Sequence, residues 1–226
     1  MKKNSIRTLF LTAAVCVATA SPILAQDEAK TEKKGDTAKP KFVSLFDGKS
    51  LDGWKANEEN PKAFSIVDGA IKVSGKRGHL FYSGDVDGGK FKNFVLRAKV
   101  MTKEKANSGL YFHTVYQKDG WPEKGYEVQV NNTHSDWRKT GSLYGVDDVK
   151  ESQKDDEWMD YVIRVKGNRV VIKINGKKVV DFKQAEKPEH VKDYKGRLIG
   201  EGTFAIQAHD PRSVAFFKDI KVRVLK

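Results

Sequence analysis

The sequence predicts an all-β protein, a two-sheet antiparallel sandwich of jelly-roll type. Three observations carry that expectation. About a dozen short segments alternate apolar and polar residues, the period of a strand with one buried face. No stretch sustains the 3.6-residue apolar repeat of a helix. Asp-Gly and Asn-Gly pairs punctuate the segments, as tight hairpin turns require.

Before the sandwich come two segments of different composition. Met1 to Ala25 has a basic start (Lys2, Lys3, Arg7), an apolar run from Leu9 to Ala20, then small residues. That is the pattern of a secretory signal peptide, residues 1–25, with a run too short for a comfortable membrane span. Cys16, the single cysteine, lies inside it, so the exported chain is expected to fold without disulfides. Residues 26–41 contain no large apolar residue and read as a disordered linker. Residues 42–226 are ample for one β domain of ordinary size.

The formal net charge is +12; Lys2, Lys3 and Arg7 supply three of these, leaving +9 for the exported chain. The excess lysine is spread among many acids, which suits a soluble surface with weak attraction to anionic glycans or envelope lipids. Export and the lack of a recognisable binding motif argue against nucleic acid as a partner.

In order, Asp47-Gly48 and Asp52-Gly53 are turn signals, and Trp54 either closes the sheet or lines a site. Phe64 to Val73 alternates on both sides of Asp68-Gly69, a hairpin. Strands are expected near His79–Tyr82, Phe91–Thr102, Gly109–Val115 and Tyr126–Asn131, with a short one at Ser142–Gly145. Trp121-Pro122 and Asn132–Lys139 mark long loops, where function often sits on a rigid scaffold. Trp158–Val165, Arg169–Ile174 and Lys178–Phe182 form a meander, with Trp158 and Tyr161 assigned to the core. Glu186–Arg197 is an irregular or helical insertion. Gly202–His209 and Val214–Val224 close the chain as two long strands.

The candidate site starts from two of these strands. Successive side chains on a strand point to opposite sides. Tyr126, Val128 and Val130 therefore share one side, and Glu127, Gln129 and Asn131 the other. Leu110 and Phe112 likewise oppose Tyr111 and His113. In Thr203–His209, Phe204 and Ile206 would be core, leaving Gln207 and His209 outside. If these strands are neighbours, His113, Glu127, Gln129, Gln207 and His209 converge on one polar face. A solvated face is the ordinary alternative for an antiparallel sheet. Trp121, Trp137 and Tyr144 could stack on sugar rings, although aromatics in a sandwich are usually core. His79 and His190 are expected at the surface, with His134 at the rim. Two histidines with Glu127 are also a weak transition-metal signal.

One comparison separates chemistries. Sandwich glycanases of the retaining type place carboxylates on one strand face as Glu-x-Asp-x-Glu, since they need two carboxyl groups about 5–5.5 Å apart. Here that face reads Glu127-x-Gln129-x-Asn131, one acid and two amides. Ordinary two-carboxylate hydrolysis at this strand is disfavoured.

At these residues the chain resembles the 3-keto-disaccharide hydrolase domain family of exported bacterial proteins, over about Phe42 to Val224. The marks are SLFDGKSLDGW, SGLYFHT, GYEVQV, TGSLYG, the EWMDYVIRVKGNRVVIKINGKKV meander and FAIQAHDPRSVAFFKDIKV. The ending departs from the commoner Gln-x-His-Gly pattern, with Asp210 after His209. The resemblance implies a concanavalin A-like jelly roll that cleaves glycosides already oxidised to a ketone at sugar carbon 3. A 3-ketone acidifies the C2 proton, so a base can remove it, the C1 group can leave, and water can add to the enone. The roles it implies are His209 or His113 as base and Glu127 as acid or metal ligand. Gln129 and Gln207 would position hydroxyls, beside Tyr111, Tyr144 and Trp121. A divalent metal ion could polarise the ketone, and the sequence leaves that cofactor open. A non-catalytic carbohydrate-binding module using the same face is the competing expectation.

Overall fold

Two antiparallel sheets face each other across a hydrophobic core. The structure, a computed structural model, describes residues 41–226. The expected signal peptide, and the linker up to Pro40, lie outside the described residues. The strands are β1 (Val43–Ser44), β2 (Trp54–Ala56), β3 (Phe64–Val67), β4 (Ala70–Ser74), β5 (Gly78–Tyr82), β6 (Phe94–Thr102) and β7 (Ser108–Thr114). After them come β8 (Tyr126–Val130), β9 (Met159–Lys166), β10 (Arg169–Ile174), β11 (Lys177–Lys183), β12 (Thr203–Ala208) and β13 (Val214–Val224). The larger sheet runs β11-β10-β9-β6-β13-β4-β3, with β1 added on β13; the smaller runs β2-β5-β12-β7-β8. The expected jelly-roll sandwich is the observed architecture.

Alternation explains how each sheet faces the core. On β9, Met159, Tyr161, Ile163 and Val165 are buried while Asp160, Arg164 and Lys166 are exposed. From the smaller sheet, Leu80, Leu110, Phe112, Val128, Phe204 and Ile206 meet Phe94, Leu96, Ile163 and Phe217 of the larger one. Asp68-Gly69 and Asn175-Gly176 turn two hairpins with positive φ at both residues, as a type I′ turn needs.

Several elements differ from the expectation. Ser142–Gly145 is a turn held by isolated bridges from Leu143 to Val128 and Asp147, too short for a strand. Phe91 makes one bridge to Gly202, and the regular strand begins at Phe94. Trp158 precedes β9 and is half-buried beneath the Lys218 ammonium, 4.1 Å from its ring, while Tyr161 is core. Glu186–Arg197 has no regular helix beyond a 3₁₀ turn at Glu189–Lys192. His190 is half-buried there rather than solvated, with Nε2 2.7 Å from the Arg197 carbonyl and 3.2 Å from the Tyr126 hydroxyl.

The main correction concerns His113. Thr203 pairs with Thr114 but Ala205 pairs with Tyr111, so β7 carries one extra residue opposite β12. His113 takes up that bulge with φ +57°, a left-handed conformation. The alternation breaks there, and the imidazole packs edge-on against the core rings of Phe94 and Phe112, 5.6 and 5.2 Å between centroids. Nε2 donates to the Lys92 carbonyl (3.0 Å) and Nδ1 accepts from the Gly200 N–H (3.2 Å), so the neutral ring is satisfied at both ends. It is a buried clamp between two loops.

His79, also expected at the surface, is completely buried on β5. Burial holds its pKa at about 3, assisted by the charges of Arg77 and His209. Burial likewise holds His113 at about 4, against the opposing hydrogen bond to Lys92. In the unfolded chain both titrate near the ordinary value of about 6.5. As pH falls below that value the unfolded state takes up protons that the folded state refuses, and stability is lost until the folded pKa values are reached. Urea denaturation is expected to show a loss on the order of 2 kcal/mol per histidine between about pH 7 and pH 5. His113→Gln, which cannot titrate, should remove its share of that slope. A flat profile in the wild type would contradict two neutral buried rings.

Candidate functional site

The smaller sheet is buried on both faces: every residue of β5, β7, β8 and β12 is buried. Its second face carries Phe81, Tyr111 and Ala205, and beside them the polar residues His79, Gln207, Glu127 and Gln129. Glu127 is only 5% exposed, Gln129 1% and Gln207 2%. A solvated sheet face would leave these side chains in water, so that alternative does not hold. Loops bearing Trp121, Asp136, Tyr144 and Arg197 rise around the face and enclose a cavity of about 800 Å³. Glu127, Gln129, Gln207, His209, Tyr111, Tyr144 and Trp121 all line it. His113 does not.

Glu127 forms the floor. Its Oε2 accepts from the Tyr111 hydroxyl at 2.8 Å, and its Oε1 accepts from the Gln207 amide at 3.1 Å. The Gln129 amide nitrogen reaches Oε1 at 3.0 Å in the orientation its neighbours favour. Arg197 Nη2 lies 3.9 Å from Oε2. Room for the carboxylate comes from Gly109 on the adjacent β7. A Cβ there would stand 2.5 Å from Oε1 and 2.9 Å from Cγ, so glycine lets Glu127 lean across the neighbouring strand. Burial raises the Glu127 pKa, outweighing Arg197 and the hydrogen bonds from Tyr111 and Gln207. The same environment, burial first and the Glu127 charge second, pushes the Tyr111 phenol well up and keeps it a neutral donor.

His209 sits at the end of β12, its side chain 31% exposed. Nδ1 lies 3.0 Å from Asp210 Oδ2, which leaves Nε2 as the nitrogen free to act. Asp210 is the departure from the family pattern noted above, and here it orients the imidazole. Burial disfavours its charge, but Ser213, the Arg212 N–H and His209 together hold its carboxyl at about 2. His134 completes a cluster: its ring lies 5.6 Å from that of His209, and its Nε2 lies 3.9 Å from Asp210 Oδ2. One ligand atom from each of His134, His209 and Asp210 lies within 4.8 Å of the others, a spacing and donor set that fit a divalent cation. The metal signal read from the sequence centred on Glu127 with His113 and His209. The structure moves it to Asp210 and His134.

Arg197 is the site residue that sequence reading missed. It lies in the irregular insertion, where no strand period assigns a face. Its guanidinium packs against the rings of Tyr144 (4.9 Å) and Tyr194 (4.2 Å), and it donates to the Tyr144 carbonyl. Asn131 organises the opposite wall. Its amide donates to the carbonyls of Asp136 and Arg138, and its Oδ1 accepts from the His134 N–H, folding the 132–139 loop over the sheet.

A jelly-roll sandwich with a loop-walled polar cavity on its smaller sheet belongs, as a class, with the concanavalin A-like lectin and glycanase folds. More narrowly, the chain belongs to the 3-keto-alpha-glucoside-1,2-lyase-like domain family, whose model matches residues 41–223. Among solved structures, a Parabacteroides distasonis protein provisionally described as a glycosyl hydrolase is 24% identical, with a TM-score of 0.67, covering 82% of this chain and 94% of its own. The carbohydrate-binding module CBM66 from Bacillus subtilis is 13% identical, with a TM-score of 0.53, covering 76% and 95%. The exoplasmic domain of VIP36, in a Ca2+/Man3GlcNAc-bound form, is 8% identical, with a TM-score of 0.52, covering 82% and 88%. These likenesses show a shared fold. No curated protein sequence matches the chain.

The glycine beneath the carboxylate gives a direct test. Gly109→Ala is expected to push Glu127 off Tyr111 and Gln207 and to cost about 1–3 kcal/mol, read by chemical denaturation. Unchanged stability with Glu127 still seated in a crystal structure would show that the space is not needed.

Proposed function

We propose that this protein is an exported enzyme that cleaves glycosides bearing a ketone at C3, by removing the C2 proton and eliminating the C1 group. The observation that supports it most is the pairing within one cavity of a single buried carboxyl, raised in pKa, with an imidazole whose other nitrogen faces a carboxylate. That set suits one acid and one base, and it does not supply the two sheet-borne carboxylates of a retaining glycosidase. The amino-terminal sequence supports export.

In this reading His209 Nε2 takes the C2 proton, and the C2–H electrons become the enolate at C3. Arg197 offers positive charge for the oxyanion, in a cavity where low dielectric strengthens it. The enolate collapses to C1=C2, the C1–O bond breaks, and Glu127 in its protonated form gives a proton to the departing oxygen. Water adding at C1 of the enone completes a net hydrolysis. Gln207 contributes in a second way. Its Oε1 is buried without a partner, and a substrate hydroxyl would satisfy it.

A divalent cation held by His134, His209 and Asp210 would supply Lewis-acid polarisation of the ketone. In that state His209 is a ligand, and the residue left to carry the C2 proton is Glu127. Glycan binding without turnover is the competing reading, favoured by the half-exposed aromatic walls Trp121 and Tyr144.

Incubation with 3-keto-glucosides and with the unoxidised glycosides separates these readings. Only the ketones should be cleaved, with a transient enone absorbance. Glu127→Gln and His209→Ala should each lower kcat by about 10²–10⁴-fold. Full activity in both variants removes the assignment, and affinity without turnover in the wild type favours the binding module. A chelator arm decides the base: activity that survives chelation leaves the proton to His209, and activity lost and then restored by added Mn2+ or Zn2+ makes His209 a ligand.

A further inference from the structure

His79 is a buried imidazole that the proposed chemistry does not use. It is fully buried, and neither ring nitrogen has a hydrogen-bond partner. Leaving a buried polar group unpaired is costly, which calls for an explanation. His79 stands directly opposite Gln207 in the β5–β12 ladder, so the two side chains share the cavity face of the sheet. Gln207 lines the cavity and His79 does not; Tyr111 (5.7 Å between ring centroids) and Phe81 (6.2 Å) flank the imidazole along the sheet face. The Trp121 indole stands edge-on to the His79 ring at 5.7 Å and lies 5.3 Å from the His209 ring.

That indole is itself 42% exposed, on a loop whose backbone is pinned by Gln117. Its far side walls a second cavity of about 610 Å³, bounded by Glu59, Asn60 and Arg77. One ring, held by aromatic contacts and by the Arg77 guanidinium at 5.3 Å, therefore lines both cavities. Beneath it waits one unpaired donor and one unpaired acceptor, the complement of a sugar hydroxyl.

We propose that Trp121 is a displaceable partition, and that His79 beneath it reads a hydroxyl of a second sugar ring when the indole swings aside. The ligand class rests on the glycoside reading above; the partition does not. The first ring occupies the floor at Glu127 and His209, and the second lies toward β5. A disaccharide then fills both places, and a monosaccharide only the first.

Carbethoxylation of neutral imidazoles by diethyl pyrocarbonate, followed residue by residue by mass spectrometry, tests both parts. His79 should react slowly in the wild type and about tenfold faster or more in Trp121→Ala, while Trp121→Phe keeps it covered. With Glu127→Gln added to slow turnover, a 3-keto-disaccharide should protect His79 and His209, and 3-ketoglucose should protect His209 alone. If His79 stays inert in Trp121→Ala while His209 reacts, something other than the indole seals it and the partition is wrong. If the disaccharide shields His209 without slowing His79 in Trp121→Ala, there is no second subsite. If neither sugar protects His209, the glycoside reading fails and takes the ligand class with it. The partition is then judged on the Trp121→Ala rate alone.

Discussion

Burying the Glu127 carboxylate is the constraint around which the smaller sheet is arranged. A charged carboxyl removed from water is costly unless its oxygens are hydrogen-bonded and its charge is answered. Three strands contribute to that end. Gly109 on β7 clears the space, Tyr111 on β7 and Gln207 on β12 donate, and Gln129 on β8 adds an amide. Arg197 arrives from a loop about seventy residues downstream, packed against two tyrosines that keep its guanidinium within reach. Remove the covering loops and the polar face returns to water, where a carboxyl has no reason to hold a raised pKa.

Five histidines show how environment rather than residue type assigns a role. His113 is turned into the core by a bulge and satisfied at both nitrogens. His190 ties the 3₁₀ turn to Tyr126 and Arg197. His209 has one nitrogen taken by Asp210 and the other free. His134 stands beside that pair, its Nε2 3.9 Å from Asp210 Oδ2. His79 alone among them is buried with neither nitrogen partnered. The first two are packing, and of the last three only His209 lines the cavity.

Much of the fold was legible because strand alternation and turn chemistry are local. The meander, the Asp68-Gly69 hairpin and the core sides of β8 and β12 follow from a two-residue period and from residues that tolerate positive φ. The same period read Glu127, Gln129 and Gln207 onto one face. It failed at His113, because one inserted residue reverses every later side chain and nothing local in SGLYFHT marks the bulge. Trp158 was misplaced for a related reason: it stands one residue before its strand, where alternation no longer applies.

By itself the sequence determined the sheet period, the core side of each strand and the presence of one acid among amides on β8. These depend on neighbours a few residues apart. Only the tertiary structure decided that β8, β7, β12 and β5 lie side by side, that loops bury their polar face, and that Arg197, Asp210 and Trp121 reach it. Those are mostly contacts between residues about fifteen to a hundred and thirty positions apart along the chain. Loop closure and burial set them, and neither leaves a periodic trace in the sequence.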